Sequence, residues 1–212
     1  MVIAIDGPAG AGKSTVARGL ADALGITYLD SGAMYRCVAV AVSRANADPD
    51  DPSEAAGVAS GIEVVFDSDR VLLGAEDVSE TIRSPEISAL ASRVSVHPGV
   101  REAMVIRQRE MISRGPYVAE GRDIGTVVSP DSPLKVFLVA DEYERARRRA
   151  AESGQPVDEV VEHLADRDRR DTEREHGALR PADDSVQVDT TALAPGEVVE
   201  RIAALARERG LA

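Results

Sequence analysis

Residues 7–14 read Gly-Pro-Ala-Gly-Ala-Gly-Lys-Ser, a glycine-rich stretch that ends in a basic side chain and a hydroxyl. Backbone N–H groups of such a loop can surround phosphate oxygens, because glycines lack a Cβ and allow close approach. Lys13 can reach the β- and γ-phosphates of a nucleotide, and the Ser14 hydroxyl can ligate Mg²⁺. The predicted nucleotide-binding residues are Gly7, Pro8, Ala9, Gly10, Ala11, Gly12, Lys13, Ser14 and Thr15.

The elements around this loop have the order that a phosphate-binding loop requires. Residues 2–5 form a short apolar, β-branched run typical of a buried parallel strand. Apolar residues in 15–24 recur with helical spacing, and Gly25 is a suitable C-terminal stop. Strand, loop and helix together make a chance glycine-rich turn a poor explanation.

Composition bounds the class of protein. The 212 residues suit one α/β domain with a small insertion, and the 43% hydrophobic fraction is enough for a core. No apolar run approaches the roughly 20 residues of a membrane span, and the chain enters its first strand without a basic leader. A single cysteine, Cys37, allows no intramolecular disulfide. We therefore expect a cytoplasmic monomer without a membrane partner.

The net charge of −12 argues against a nucleic-acid polymer as a ligand, because binding a polyanion depends on summed positive charge. Arginines nevertheless concentrate in two stretches, 145–149 and 167–174. Each stretch has two interpretations, a solvated helical face or a set of cations over phosphates.

The rest of the chain alternates between strands and helices, with one interruption. A polar, proline-rich boundary at 46–53 precedes a hairpin predicted at 62–66 and 70–73, and helices are predicted at 32–43, from 84, and at 98–113. We therefore predict an inserted subdomain at about 50–95 and a parallel sheet covered on both faces. Later elements are predicted as strands at 117–119, 134–139 and 186–189 and helices from 141, at 156–175 and at 195–209.

A phosphate-binding loop alone does not separate ATPases, GTPases and kinases. The guanine-reading pattern Asn-Lys-x-Asp is absent, so a GTPase switch is not expected. An N-terminal phosphate loop with arginine-rich C-terminal helices is typical of small-molecule kinases, in which cations stabilise the transferred phosphoryl group. Closure of such helices would also exclude water.

Four segments carry a more specific resemblance. Residues 6–14, 30–36, 120–128 and 167–174 resemble the corresponding motifs of the bacterial cytidylate kinases, and the similarity runs through nearly the whole chain. The resemblance implies a P-loop NTPase-like three-layer α/β fold. It places an NMP-binding insert at about 50–95 and a helical lid at about 150–178. It also implies phosphorylation of CMP and dCMP by ATP with Mg²⁺.

The resemblance further implies roles for individual residues. Arg36, Arg122 and Arg174 would hold the acceptor phosphate, with Ser31 nearby. Cytosine would be read by Ser92, Arg101 and Asp123, since a carboxylate accepts from its amino group while Arg and Ser donate to its acceptor atoms. Arg167 and Asp171 would contact the sugar, although their spacing also fits an intrahelical ion pair. The predicted catalytic residues are Lys13, Arg122, Arg170 and Arg174.

One position departs from the family pattern. We expect Asp-Gly-Arg-Asp, whereas this chain has Glu120-Gly121-Arg122-Asp123. Glu120 is predicted, with Ser14, to hold Mg²⁺ through water.

Two alternative functions stay open at this point: a kinase for UMP or another small metabolite, and a catalytically silent nucleotide-binding regulator.

Overall fold

The computed structural model describes residues 1–67 and 69–211. Ser68, in the loop of the predicted hairpin, lies outside them. The chain forms two compact units, one made of Met1–Asp30 with Arg109–Ala212 and the other of Ser31–Gln108. The second unit contains the segment 50–95 predicted as an insert and also the helix before it.

The first unit is built on a parallel five-stranded sheet in the order β2-β6-β1-β7-β8. The central strand β1 is buried along its whole length, which explains its uninterrupted apolar sequence. The strands of this sheet are β1 (Val2–Asp6), β2 (Thr27–Asp30), β6 (Tyr117–Gly121), β7 (Leu134–Val139) and β8 (Val186–Asp189). The predicted central parallel sheet is confirmed.

Helices flank this sheet. The apolar faces of α1 (Lys13–Leu24) and α8 (Pro195–Glu208) form one core with β1, β7 and β8. The helices α6 (Glu142–Ser153) and α7 (Val157–Glu173) share a smaller apolar cluster that includes Ala9. These two helices cover most of the segment predicted as a lid.

The second unit combines helices with an antiparallel sheet. The strands β3 (Val64–Asp67), β4 (Arg70–Leu73) and β5 (Glu76–Asp77) pair in that order, so the predicted hairpin is confirmed. Helix α2 packs against the helices α3 and α4. The helices are α2 (Ser31–Ala45), α3 (Pro52–Gly61), α4 (Pro85–Val94) and α5 (Pro98–Ile112), whose last turn belongs to the first unit.

The sequence did not predict the helix α3, the strand β2, the helical segment after β6 or a short 3₁₀ helix at Thr81–Arg83. Helix α3 begins inside the polar boundary, where Asp51 caps it by accepting from the N–H groups of Ser53 and Glu54. Strand β2 lies at the edge of the sheet. After β6, the segment Ile124–Val128 forms a π-helical turn, an uncommon conformation that often marks functional sites.

Candidate active site

The glycine-rich loop connects β1 to α1, as the sequence predicts. Gly7 has φ 151° and Gly10 has φ 76°. A Cβ at Gly7 would lie 2.4 Å from the carbonyl oxygen of Leu138, and one at Gly10 would lie 2.8 Å from that of Arg145. Only glycine fits at either position, so the loop lies tightly against β7 and α6.

Lys13 is the first residue of α1 and is almost fully buried. Its Nζ donates to the carbonyl oxygen of Pro8 at 2.8 Å, so the side chain folds back along the loop. Burial lowers the pKa of Lys13, and the guanidinium of Arg122 lowers it further. An anion beside Lys13 would relieve this unfavourable environment for its charge.

Ser14 and Glu120 belong to one hydrogen-bonded network. The Ser14 side chain hydrogen-bonds the buried Glu120 carboxylate. The Tyr28 hydroxyl donates to Glu120 Oε1 at 2.5 Å, and the guanidinium of Arg18 lies 5.0 Å from the Tyr28 ring centre. Burial, with the nearby Asp30 carboxylate, raises the pKa of Glu120. A hydroxyl and a carboxylate are thus held together beside the phosphate loop.

A cluster of arginines surrounds a single buried carboxylate. Arg122 Nε donates to Asp171 Oδ2 at 2.8 Å, and Arg174 Nη1 donates to Asp171 Oδ1 at 3.3 Å. Burial alone would raise the pKa of Asp171, but Arg122, Arg167 and Arg174 outweigh it and lower the pKa. Three guanidinium groups thus converge on one carboxylate, and guanidinium groups are well suited to binding an anion such as phosphate.

Hydrogen bonds connect helices α6 and α7 to the phosphate loop at one residue, Ala9. Arg145 Nη1 donates to the carbonyl oxygen of Ala9 at 3.0 Å, and the Ala9 N–H donates to Asp168 Oδ1 at 3.4 Å. Arg145 also donates to Asp168 Oδ2 at 2.5 Å, so Ala9, Arg145 and Asp168 are each hydrogen-bonded to the other two. The position of both helices is therefore tied to the loop.

Four other predicted acceptor residues belong to the second unit, whereas the buried Asp123 belongs to the first unit, directly after β6. Ser31 begins α2 and Arg36 follows one turn later. Ser92 on α4 and Arg101 on α5 are buried, and Arg101 lies over the Tyr35 ring at 5.5 Å from its centre. Among the described residues, the Ser92 hydroxyl has no hydrogen-bond partner. Buried polar groups normally have a hydrogen-bond partner, so this hydroxyl is available to a polar ligand.

The structure brings some predicted residues together and separates one. Arg122, Arg167, Asp171 and Arg174 lie in one cluster, whereas Arg170 lies on the exposed side of α7 and donates to the carbonyl oxygen of Asp166. Its catalytic role stays a prediction.

Sequence reasoning assigned no role to Asp6, Tyr28 or Asp168, although each contacts the loop or a residue of the site. Asp6 directly precedes the glycine motif, and Tyr28 lies two residues before Asp30. Those positions are the only signals the sequence offers.

A parallel sheet with a phosphate loop between β1 and α1 and arginine-rich helices after β7 defines a P-loop kinase fold. Solved structures similar in fold include a gluconokinase from Sinorhizobium meliloti 1021, with a TM-score of 0.51 at 18% identity over 99% of this chain and 93% of that one. Another is shikimate kinase from Acinetobacter baumannii, with a TM-score of 0.50 at 18% identity over 100% and 95% of the two chains. At such identities the likeness concerns the fold alone.

Sequence comparison gives the narrower class. The cytidylate kinase family matches residues 3–208. The cytidylate kinase of Geobacter sulfurreducens is 46% identical over 99% of this chain and 94% of its own length. That of Mycobacterium leprae is also 46% identical, over 99% and 96% of the two chains. The chain belongs to the cytidylate kinase family, and it is an enzyme of the kinase class. In the described part of the chain, no helix has the length and apolar character needed to cross a bilayer.

Proposed function

We propose that this enzyme transfers the γ-phosphoryl group of ATP to CMP and dCMP. A phosphate oxygen of the acceptor attacks the γ-phosphorus, the bond from phosphorus to the β,γ-bridging oxygen breaks, and ADP leaves with CDP or dCDP as the second product. The observation that carries the proposal is the arginine cluster around Asp171, since guanidinium groups bind phosphate oxygens through charge-assisted hydrogen bonds. Family membership supports cytidylate as the acceptor.

The phosphate loop is the donor half of this reaction. Its backbone N–H groups and the N-terminus of α1 would hold the nucleotide phosphates. Lys13 would reach the transferred group, and the negative charge of the phosphates would restore its ammonium form. Lys13 thereby stabilises charge that develops in the transition state.

Mg²⁺ fits the oxygen groups on this side of the loop. Ser14 and Glu120 would hold it, the carboxylate through water, as suits an ion that keeps several water ligands. When bound, Mg²⁺ would supply positive charge that offsets the negative charge of the nucleotide phosphates. The described residues contain no group of three or more acidic, histidine or cysteine side chains that could hold a metal, so a site of few protein ligands is appropriate.

The acceptor is held by its phosphate and read at its base. Arg36, Arg122 and Arg174 would bind the phosphate, with Ser31 nearby, and Arg167 with Asp171 would contact the sugar. The buried Asp123 would accept from the cytosine amino group. Ser92 and Arg101 would donate to its O2 and N3 atoms. Uracil carries an oxygen where cytosine has the amino group, so a carboxylate there disfavours it.

The remaining proposals concern the cell compartment, the partners and the oligomeric state of the enzyme. The single cysteine, Cys37, is buried and allows no intramolecular disulfide, which suits action in a reducing cytoplasm. The net charge of −12 disfavours a nucleic-acid partner. We propose a monomer whose substrates are ATP and CMP or dCMP.

The test compares kcat/KM for five acceptors in the presence of ATP and Mg²⁺, with the reaction rate measured as ADP formation. The acceptors are CMP, dCMP, UMP, AMP and shikimate. CMP and dCMP are expected to give the highest values, and the Lys13→Ala variant should fold but lose about 10²–10³-fold in turnover. Highest activity with UMP or shikimate would refute the assigned acceptor. Absence of ADP release with every acceptor would instead favour a nucleotide-binding regulator.

A further inference from the structure

A buried acid that the proposed mechanism does not use lies directly before the phosphate loop. Asp6 ends β1, and only 5% of its surface is exposed. Its Oδ1 accepts from the N–H of Ile124 and its Oδ2 accepts from the N–H of Gly125, each at 2.8 Å. Both oxygens of one carboxylate therefore hold two consecutive peptides of another segment.

Those two peptides are the start of the π-helical turn Ile124–Val128. The first N–H groups of a helical turn have no acceptor within it and need one from elsewhere. Asp123 occupies the N-cap position, where an aspartate commonly caps its own helix. Within the described part of the chain, its side chain makes no capping hydrogen bond to this turn. Asp6, from a different strand, caps the turn in its place.

The contact is close as well as hydrogen-bonded. A Cβ at Gly125 would lie 3.4 Å from Asp6 Oδ2 and 3.2 Å from Lys135 Cδ. The backbone of the turn is thus held between β1 and β7 and has little room to shift. Any change in this contact would reach Asp123 directly, since its backbone carbonyl accepts from the N–H of Val127 at 2.8 Å.

We propose that Asp6 is a positioning residue for base recognition. By capping the turn, its carboxylate fixes the backbone of Asp123 and leaves that side chain uncommitted to capping. The same residue directly precedes Gly7, so one carboxylate links the start of the donor loop to the turn that reads the acceptor. The proposal rests on the proposed function, because it assumes that Asp123 reads cytosine.

The test is the ratio of kcat/KM for CMP to kcat/KM for UMP in Asp6→Asn. This ratio does not depend on the fraction of active protein, so a merely structural defect would leave it unchanged. Asparagine can accept from one N–H, but its NH₂ group faces the other. Loss of one charge-assisted hydrogen bond predicts a fall in the ratio of about tenfold.

The matched control is Asp141→Asn. Asp141 also caps a helical segment with two hydrogen bonds, since its Oδ1 accepts from the N–H groups of Tyr143 and Glu144 at 3.0 and 3.1 Å. We expect its CMP-to-UMP ratio to equal that of the wild type. An equal fall in both variants would overturn the proposal, because capping in general would then explain the loss.

A second variant keeps the proposal testable should Asp6→Asn fail to fold. Gly125→Ala adds a methyl group against Asp6 Oδ2 and retains the carboxylate, and a lower CMP-to-UMP ratio is again expected. A wild-type ratio in either folded variant overturns the role of Asp6 while leaving the proposed function intact. A wild-type enzyme without preference for CMP overturns both.

Discussion

The Tyr28 hydroxyl donates a hydrogen bond of 2.5 Å to Glu120 Oε1. Tyr28 and Glu120 lie on the neighbouring strands β2 and β6, where Tyr28 pairs with Val118 and Asp30 pairs with Glu120. The phenol therefore reaches diagonally across the sheet to the carboxylate. It secures a glutamate where the family pattern has aspartate, and it holds that carboxylate beside Ser14.

Removal of this hydroxyl should weaken the protein. Tyr28→Phe keeps the ring under Arg18 but deprives the buried Glu120 of a donor, so we expect the free energy of unfolding to fall by about 1–3 kcal/mol. Urea denaturation measures this change. Tyr143→Phe is the control, since the Tyr143 side chain is largely exposed and its variant should match the wild type.

The same pair can be tested for coupling. Aspartate at position 120 is one methylene shorter, so its carboxylate would not reach the phenol as glutamate does. In a Glu120→Asp background, Tyr28→Phe should therefore cost far less stability than in the wild type. An equal cost in both backgrounds would show that the two side chains do not act together.

Asp171 should be a strong determinant of stability. Asp171→Ala leaves Arg122 and Arg174 as buried cations without their shared carboxylate, and a loss of about 3–5 kcal/mol in the free energy of unfolding is expected. Inorganic phosphate should raise the melting temperature of the variant more than that of the wild type, because it supplies the missing anion.

The exposed ion pair between Arg169 and Asp166 offers the comparison. Both side chains are well exposed, so Asp166→Ala should cost clearly less stability than Asp171→Ala. Similar losses in the two variants, or no response of Asp171→Ala to phosphate, would contradict the charge balance assigned to the arginine cluster.

Asp6 should make stability depend on pH. Burial raises the pKa of Asp6 from 3.8 to about 6, although the hydrogen bonds that it accepts from the N–H groups of Gly125 and Ile124 lower it. To smaller extents, Asp123 raises this pKa and Lys13 lowers it. Because the folded state favours the protonated acid, its contribution to stability is complete below pH 3.8 and is lost as the pH rises through about 6.

The pH effect can be isolated by comparison with Asp6→Asn. From pH 8 to pH 5, the wild type should gain on the order of 1 kcal/mol in unfolding free energy relative to this variant. Urea denaturation across this pH range measures the difference in unfolding free energy between the two proteins. The contributions of the other titrating groups largely cancel, because both proteins contain them. A difference that stays constant, or that changes with the opposite sign, would contradict the environment assigned to Asp6.

Local sequence predicted the elements whose signals are local. The β1–loop–α1 unit, the hairpin and the Ser84 cap of α4 follow from apolar spacing, glycine placement and the Ser-Pro start. The strand β2 was missed because it is short and mostly accessible. The helix α3 buries only Ala55 and Ala59 and so gives little amphipathic pattern.

The π-helical turn could not have been predicted in this way. Its stabilising partner, Asp6, lies 118 residues away along the chain, and no window of sequence contains both. The phosphate loop and the cluster around Asp171 were expected from motifs, whereas the contacts of Tyr28 and Asp168 depend on packing between distant elements.

Recognition of cytosine by Asp123 is tested by comparing the acceptor preference of Asp123→Ala with that of the wild type. The measurement is kcat/KM for CMP and for UMP with ATP and Mg²⁺ in both proteins. If Asp123 reads cytosine, the wild type should strongly prefer CMP, and this preference should fall by about tenfold or more in the variant. A variant that loses turnover but keeps the wild-type ratio of CMP to UMP would contradict it.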